Sequence, residues 1–143
     1  MVCLGNICRS PLAEGVLKSK LPDNTFKLES AGTAGFHIGK SPDSRSIEVA
    51  AQNGINISKQ TARKFVCEDF NRFDKIYVMD KSNLENVKQM AITEGERNKV
   101  TLLQENYEVP DPYYGNNNGF KKVLNLINNA CERISNQLMN SQS

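Results

Sequence analysis

The sequence is poor in residues that bind metals. It contains one histidine, His37, and four cysteines, which are Cys3, Cys8, Cys67 and Cys131. The cysteines show none of the paired short spacings on which a tetrahedral zinc site depends, so we expect no metal site. A chain of 143 residues can also bury enough apolar surface to fold without disulfide bonds, so we expect free thiols.

Long apolar runs and a strong excess of one charge are also missing. The mean hydropathy is −0.52 and no apolar stretch has the length of a membrane-spanning helix, so we predict that the chain does not associate with membranes. The net charge is +2 and the 18 basic residues are scattered, which argues against a nucleic-acid-binding protein. The residues after Met1 show no charged start followed by an apolar stretch, so we expect a cytoplasmic protein.

The sequence does contain an alternation of strand-like apolar segments and amphipathic helical segments. With 38% hydrophobic residues, residues 1–143 suit a single domain. The alternation predicts an α/β fold in layers with a mainly parallel sheet. One predicted helix has Ser41 as its N-cap, and the last has an apolar residue at every third or fourth position. The predicted helices cover 11–20, 41–54, 81–91 and a C-terminal segment through 138, and the predicted strands cover 25–30, 75–80 and 99–103.

The opening stretch, VCLGNICRSP, has the composition of an anion-binding loop. In parallel α/β folds a ligand lies where a strand ends and a helix begins, and Cys3 ends the predicted first strand. Gly5 and Asn6 tolerate the left-handed backbone of a tight loop, and Pro11 suits the first turn of a helix. Backbone N–H groups at such a helix start bind an oxyanion and favour the thiolate form of a cysteine. Arg9 adds a planar guanidinium, so we predict a tetrahedral oxyanion bound above the Cys3 sulfur.

Several segments together resemble the low-molecular-weight protein tyrosine phosphatases. VCLGNICRSP is similar to that family's active-site loop, and DPYYG at 111–115 is similar to its general-acid loop. ESAGT, FDKIYVMDKSNL and the last helix follow in the family's order, so the resemblance covers nearly the whole chain. It implies a three-layer α/β fold around a four-stranded, mainly parallel sheet flanked by helices, with the phosphate-binding loop after the first strand. It also implies hydrolysis of phosphotyrosine through a phosphocysteine intermediate, without a metal or other cofactor.

The resemblance also implies roles for individual residues. Cys3 is expected to attack phosphorus, Arg9 to bind the phosphate oxygens, and Asp111 to act as general acid and then as general base. The residues expected to form or support the phosphate-binding loop are Leu4, Gly5, Asn6, Ile7, Cys8, Ser10 and Ser30. The residues expected to wall the substrate pocket are Phe36, Tyr113 and Tyr114.

Four residues near these motifs are predicted to have other roles. His37 is expected to be exposed and unrelated to catalysis, although it follows the pocket residue Phe36. Asp80 ends a predicted strand and is expected to cap the helix that follows. Cys67 and Cys131 are expected to be structural.

The N-terminal end of the sequence raises two further expectations. Only Met1 and Val2 precede Cys3, whereas the family has several apolar residues there, so we expect the first strand to be truncated and the native protein to begin upstream. Because Cys8 shares a loop with the nucleophile, a reversible Cys3–Cys8 disulfide that protects Cys3 from irreversible oxidation is a hypothesis.

Two other functions are compatible with an oxyanion loop. An arsenate reductase of the same fold needs a relay of further cysteines, and residues 81–99 contain none. A phosphotyrosine-binding module with weak turnover would not need Cys3, Arg9 and Asp111 together. The favoured prediction is a phosphatase that acts on phosphotyrosine-containing proteins or peptides and on small aryl phosphates, and that phosphate and other oxyanions inhibit. We expect a monomer without nucleic-acid or membrane partners.

Overall fold

Four parallel strands form one sheet in the computed structural model, which describes residues 1–142. The strands are β1 (Val2–Cys3), β2 (Ala31–Gly32), β3 (Ile76–Val78) and β4 (Val100–Leu102), in the spatial order β2-β1-β3-β4. The helices are α1 (Arg9–Lys20), α2 (Ser44–Ala51), α3 (Asp69–Arg72), α4 (Lys81–Met90), α5 (Glu94–Asn98) and α6 (Asn117–Gln142). The predicted α/β fold with a parallel sheet is confirmed.

The short strand β1 is interior and pairs on both sides. Val2 lies opposite Ala31 of β2 and opposite Val78 of β3, and Cys3 lies opposite Gly32. A side chain at Gly32 would place its Cβ 2.8 Å from the Leu4 carbonyl oxygen, so the chain can pass closely over β2 only because this residue is glycine. Parallel strands end at the same edge of the sheet, so the loop after Cys3 lies at the edge where ligands bind in such folds.

Two apolar cores, one on each face of the sheet, give the fold its three layers. The larger core includes buried residues of α1, α2 and α6, among them Leu12 and Ile127. The predicted stripe of α6 is buried from Phe120 to Ile134. The smaller core contains Val87 of α4 and the pair Phe65 and Phe70, whose rings meet edge to face at 5.3 Å.

The structure corrects two predicted elements. The described residues form no strand at 25–30, where Phe26 and Leu28 pack against the larger core as an irregular segment, and the strand follows at Ala31. Phe26 and Leu28 are partly buried in this segment, but pairing of its backbone with a neighbouring strand begins only at Ala31, which lies opposite Val2 of β1. Helix α2 begins at Ser44 and has Asp43 as its N-cap, rather than Ser41, because the Asp43 carboxylate accepts the Arg45 N–H.

Helix α6 is the longest helix, with 26 residues. Neither it nor any other helix in residues 1–142 is both long and apolar enough to cross a membrane.

Candidate active site

The phosphate-binding loop (residues 3–10) connects the end of β1 to the first turn of α1. Asn6 has a φ of 58°, as the prediction of a left-handed residue requires. Gly5, which also tolerates such a backbone, has no positive φ. Its lack of a side chain matters for space, since a Cβ at Gly5 would lie 3.0 Å from Cδ2 of His37.

Hydrogen-bond donors surround the sulfur of Cys3, which is buried. The Asn6 N–H donates to Sγ over 3.3 Å, and Sγ is hydrogen-bonded to the Ser10 hydroxyl at 3.1 Å. Helix α1 begins at Arg9, and no side chain caps its first turn. The N–H groups of this first turn therefore have no side-chain cap, and the start of a helix with free N–H groups stabilises an anion.

The side chain of Asn6 supports the phosphate-binding loop through hydrogen bonds outside the cavity. Its Nδ2 donates to the hydroxyl groups of Ser10 and Ser30, over 2.7 and 2.9 Å. Its Oδ1 accepts the backbone N–H of Arg63 over 3.0 Å. The structure thus brings together Asn6, Ser10 and Ser30, and it adds Arg63, which the sequence did not indicate.

The guanidinium of Arg9 is buried and fixed along one edge. Its Nη1 donates to Oδ2 of Asp80 over 2.7 Å and to the carbonyl of Val109 over 2.9 Å. The other carboxylate oxygen of Asp80 accepts the Asn83 N–H over 2.8 Å, so Asp80 caps α4 as predicted and also orients Arg9. Nη2 of Arg9 lies 3.6 Å from Oδ2 of Asp111.

The acid loop (residues 111–115) carries Asp111 to the other side of the site. The Asp111 side chain is 42% exposed. Its Oδ1 accepts the N–H of Tyr113 over 3.0 Å, and the N–H of Gly115 donates to the carbonyl of Pro112 over 2.9 Å. The rings of Tyr113 and Tyr114 meet edge to face at 5.0 Å.

These two loops and the segment around Phe36 enclose a cavity of about 260 Å³. The predicted wall residues Phe36, Tyr113 and Tyr114 all line it, although Phe36 and Tyr114 are largely exposed. The predicted supports Asn6, Ser10 and Ser30 lie outside this lining. The lining residues are Cys3, Leu4, Gly5, Ile7, Cys8, Arg9, Phe36, His37, Asp111, Tyr113 and Tyr114.

The prediction that His37 is exposed is wrong, and the prediction that it is unrelated to catalysis stays a prediction. His37 is half-buried and lines the cavity between the Phe36 and Tyr113 rings, whose centroids lie 6.5 and 6.3 Å from its own. The glycine at position 5 makes room for it.

The sequence profile described as "Low molecular weight phosphotyrosine protein phosphatase" matches residues 1–143. The chain belongs to this family. The phosphatase of the same name from Schizosaccharomyces pombe is 43% identical over 131 residues, which cover 83% of this chain and 82% of that one. The human phosphatase is 37% identical over 140 residues, which cover 91% of this chain and 88% of the relative.

Solved phosphatase structures share the fold. A protein tyrosine phosphatase from Entamoeba histolytica with Hepes in its active site superimposes with a TM-score of 0.91 at 34% identity, over 99% of this chain and 96% of that one. Vibrio vulnificus Wzb in complex with benzylphosphonate superimposes with a TM-score of 0.88 at 32% identity, over 95% and 94% of the two chains. The predicted family and the predicted activity, that of a low-molecular-weight protein tyrosine phosphatase, are confirmed.

The other cysteines of this phosphatase differ in environment. Burial, reinforced by the charge of Asp43, raises the pKa of Cys8 to about 12, and burial raises the pKa of Cys131 to about 12 as well. Cys131 lies in the larger core, as expected of a structural residue. Cys67 is exposed, and its structural role stays a prediction. All four cysteines are free thiols, and residues 1–142 contain no group of acidic, histidine or cysteine side chains that could hold a metal ion.

Proposed function

We propose that this phosphatase hydrolyses phosphotyrosine in proteins or peptides, and small aryl phosphates, with Cys3 as nucleophile, Arg9 as phosphate ligand and Asp111 as general acid and base. The observation that carries the proposal is that Cys3, Arg9 and Asp111 all line the same cavity, although Asp111 lies far from the other two in sequence. Both cores pack on one sheet, which supports the further proposal that residues 1–143 form one domain.

In the first step, the sulfur of Cys3 attacks phosphorus and the bond from phosphorus to the tyrosine oxygen breaks. The N–H groups of the phosphate-binding loop and the free edge of Arg9 stabilise the three equatorial oxygens. A tyrosine phenolate is a poor leaving group, so Asp111 transfers its proton to the departing oxygen. The products of this step are the free tyrosine and phosphocysteine.

In the second step, a water molecule attacks the phosphorus of phosphocysteine. Asp111, now ionised, takes a proton from this water, so one carboxyl group serves both steps. The bond from sulfur to phosphorus breaks, and inorganic phosphate leaves. The Ser10 hydroxyl, 3.1 Å from the sulfur, stabilises the departing thiolate.

The cavity walls support an aromatic substrate. Phe36 on one side and Tyr113 and Tyr114 on the other offer ring faces and edges to a phenyl group. Escherichia coli Wzb has been crystallised in complex with sulphate and Vibrio vulnificus Wzb with benzylphosphonate, which supports binding of oxyanion inhibitors here. A thiol nucleophile must stay reduced, which supports a cytoplasmic location. The monomeric state stays a prediction.

The nucleophile is tested with Cys3→Ser. We expect turnover of p-nitrophenyl phosphate to become undetectable, because the hydroxyl is a much weaker nucleophile, while inorganic phosphate still binds to the loop N–H groups and Arg9. Calorimetric titration with phosphate measures binding independently of activity, and mass spectrometry of the quenched wild-type enzyme detects the phosphocysteine. Activity close to that of the wild type would overturn the phosphocysteine mechanism.

The general acid is tested with Asp111→Asn and two substrates. We expect kcat/KM for phenyl phosphate to fall by about two to four orders of magnitude, the usual contribution of a positioned acid. The loss for 2,4-dinitrophenyl phosphate should be far smaller, because its leaving group needs no proton. An equal loss for both substrates contradicts the assignment of Asp111.

A further inference from the structure

Arg45, in the first turn of α2, contacts the acid loop from outside the cavity. Its Nη2 donates to the carbonyl of Tyr113 over 2.8 Å, and its Nη1 donates to the carbonyl of Gly115 over 3.0 Å. Arg45 is not part of the cavity lining, so it does not meet the substrate there. The hydrogen bonds that Arg45 itself makes to the site are therefore those to the acid loop.

The guanidinium of Arg45 is itself held on two sides. Its Nε donates to Oδ1 of Asp43 over 3.0 Å, and Nη2 donates to Oδ2 over 2.9 Å. One face lies over the Phe120 ring, 4.5 Å from the centroid, and Arg45 also lies 5.7 Å from the Tyr113 centroid. Because this planar guanidinium is restrained, it directs its two N–H donors towards the acid-loop carbonyls in a fixed geometry, which a flexible lysine would not do.

Tyr113 is hydrogen-bonded both to Arg45 and to Asp111. Its carbonyl accepts the bond from Arg45, and its N–H donates to Oδ1 of Asp111 over 3.0 Å. Within residues 1–142, Arg45 is the one side chain outside the acid loop that donates a hydrogen bond to a backbone carbonyl of this loop. Arg9 approaches Asp111 itself only as an ion pair at 3.6 Å.

Asp43, which binds the Arg45 guanidinium, is also hydrogen-bonded to the phosphate-binding loop. The backbone N–H of Asp43 donates to the carbonyl of Ile7 over 2.8 Å. Bonded contacts therefore run from Ile7 through Asp43 and Arg45 to Tyr113 and Asp111, beside the cavity rather than across it.

We propose that Arg45 is a positioning residue that aligns Asp111 with the leaving-group oxygen by joining the acid loop to the phosphate-binding loop. The inference rests on the proposed role of Asp111 as general acid. Misalignment of a catalytic group by a fraction of an ångström slows proton transfer, whereas phosphate binding by the other loop is untouched.

The test compares leaving groups within each of two variants. Arg45→Met keeps an unbranched apolar stem against Phe120 and removes all donors, and Arg45→Lys keeps the charge but loses the fork. We expect Arg45→Met to lower kcat/KM for phenyl phosphate about 10- to 100-fold. The kcat/KM of Arg45→Lys should lie between those of Arg45→Met and the wild type. The value for 2,4-dinitrophenyl phosphate and the inhibition constant of inorganic phosphate should each change by less than about threefold.

Three controls make the result decisive. The ratio of the kcat/KM values for the two substrates is measured within one protein sample, so an inactive unfolded fraction lowers both values equally and cancels. Arg97→Met removes a half-exposed arginine that pairs with Glu94 away from the cavity, and it should leave the ratio unchanged. In an Asp111→Asn background, Arg45→Met should cause no further loss for phenyl phosphate, because the acid it aligns is gone.

The outcomes separate the inference from the proposed function. Equal losses for both substrates in Arg45→Met, or a full further loss in the Asp111→Asn background, overturn the positioning role of Arg45. If Asp111→Asn itself shows no dependence on the leaving group, the assignment of the general acid fails, whatever Arg45 does.

Discussion

The phosphate-binding loop and the acid loop face the same cavity but are held by different means. In the phosphate-binding loop, Asn6 and Arg9 are almost fully buried, and their side chains bond to several chain segments. In the acid loop, Asp111 and Tyr114 are exposed, and the bonds are turn contacts together with the two from Arg45. Buried, fully bonded segments open rarely, whereas exposed turns open at low free-energy cost.

This difference matches what the proposed reaction asks of each loop. Three phosphate oxygens must meet donors that are fixed before the reaction, because reorganising dipoles during the reaction would raise the barrier. The acid must serve first a leaving group and then a water molecule, so its position has to tolerate two partners. Changes in the phosphate-binding loop should therefore damage stability and activity together, and changes around the acid loop should damage them separately.

The largest combined effect is expected from Asn6→Ala. The substitution removes hydrogen bonds to Ser10, Ser30 and Arg63 and leaves a left-handed backbone without the asparagine that tolerates it. We expect a loss of about 2 to 4 kcal/mol in the free energy of unfolding, together with a fall in kcat/KM. Urea denaturation and p-nitrophenyl phosphate kinetics measure the two effects.

Asn6→Gly is the matched control for the backbone. It loses the same side-chain bonds but accepts a φ of 58° without strain, so it should be about 1 kcal/mol more stable than Asn6→Ala. If both variants have the free energy of unfolding of the wild type, Asn6 does not support the phosphate-binding loop, and this loop is not held more firmly than the acid loop by buried side-chain hydrogen bonds.

An effect of intermediate size is expected for recovery from oxidation. Burial raises the pKa of Cys8 to about 12, so its thiol is neutral at pH 7 and reacts slowly with an oxidised Cys3. If the sulfenic acid of Cys3 condenses with Cys8 and releases water, the protected fraction should grow several-fold between about pH 7 and pH 9 as the thiolate fraction rises.

The measurement is the activity regained with added thiol after a peroxide pulse, at both pH values. Wild type should recover more than Cys8→Ser, and the gap should widen at the higher pH. Cys67→Ser, which removes an exposed thiol outside the cavity lining, should behave like the wild type. Equal recovery of wild type and Cys8→Ser at both pH values would show that Cys8 only packs.

The contrast between the loops also explains what could be predicted from the sequence. The phosphate-binding loop is contiguous, so the order of Cys3, Gly5, Asn6 and Arg9 carries its own signal. The apolar stripe of α6 and the strands β3 and β4 were predicted for the same reason, since each depends on an apolar pattern within one segment. Strand β2 was misplaced because pairing depends on a neighbouring strand, which a local pattern does not contain.

The residues that the sequence did not indicate all act through contacts between distant segments. Arg63 donates to Asn6 through its backbone, so its side-chain identity carries no signal. Arg45 and His37 reach the site only after α2 and the loop around Phe36 fold against it. The second contact of Asp80, with Arg9, follows from its position at the carboxyl end of β3, next to β1, and sheet order was the missing information.

The smallest expected effect concerns the support of the acid loop, and Asp43→Asn tests it. Hydrogen bonds from Arg45 lower the pKa of the Asp43 carboxyl group in the folded protein. The unfolded chain therefore binds more protons in acid, so the stabilisation is complete above the unfolded pKa of about 3.9 and is lost as the pH falls through the folded value. Asparagine still caps α2 but lacks the charge, so Asp43→Asn should cost about 1 kcal/mol at pH 7. Urea denaturation of both proteins should show this difference shrinking as the pH falls through the lowered pKa of Asp43 in the folded protein, because wild-type Asp43 then becomes neutral as well. A difference that stays constant with pH would mean that packing, rather than the charge of Asp43, secures Arg45 beneath the acid loop.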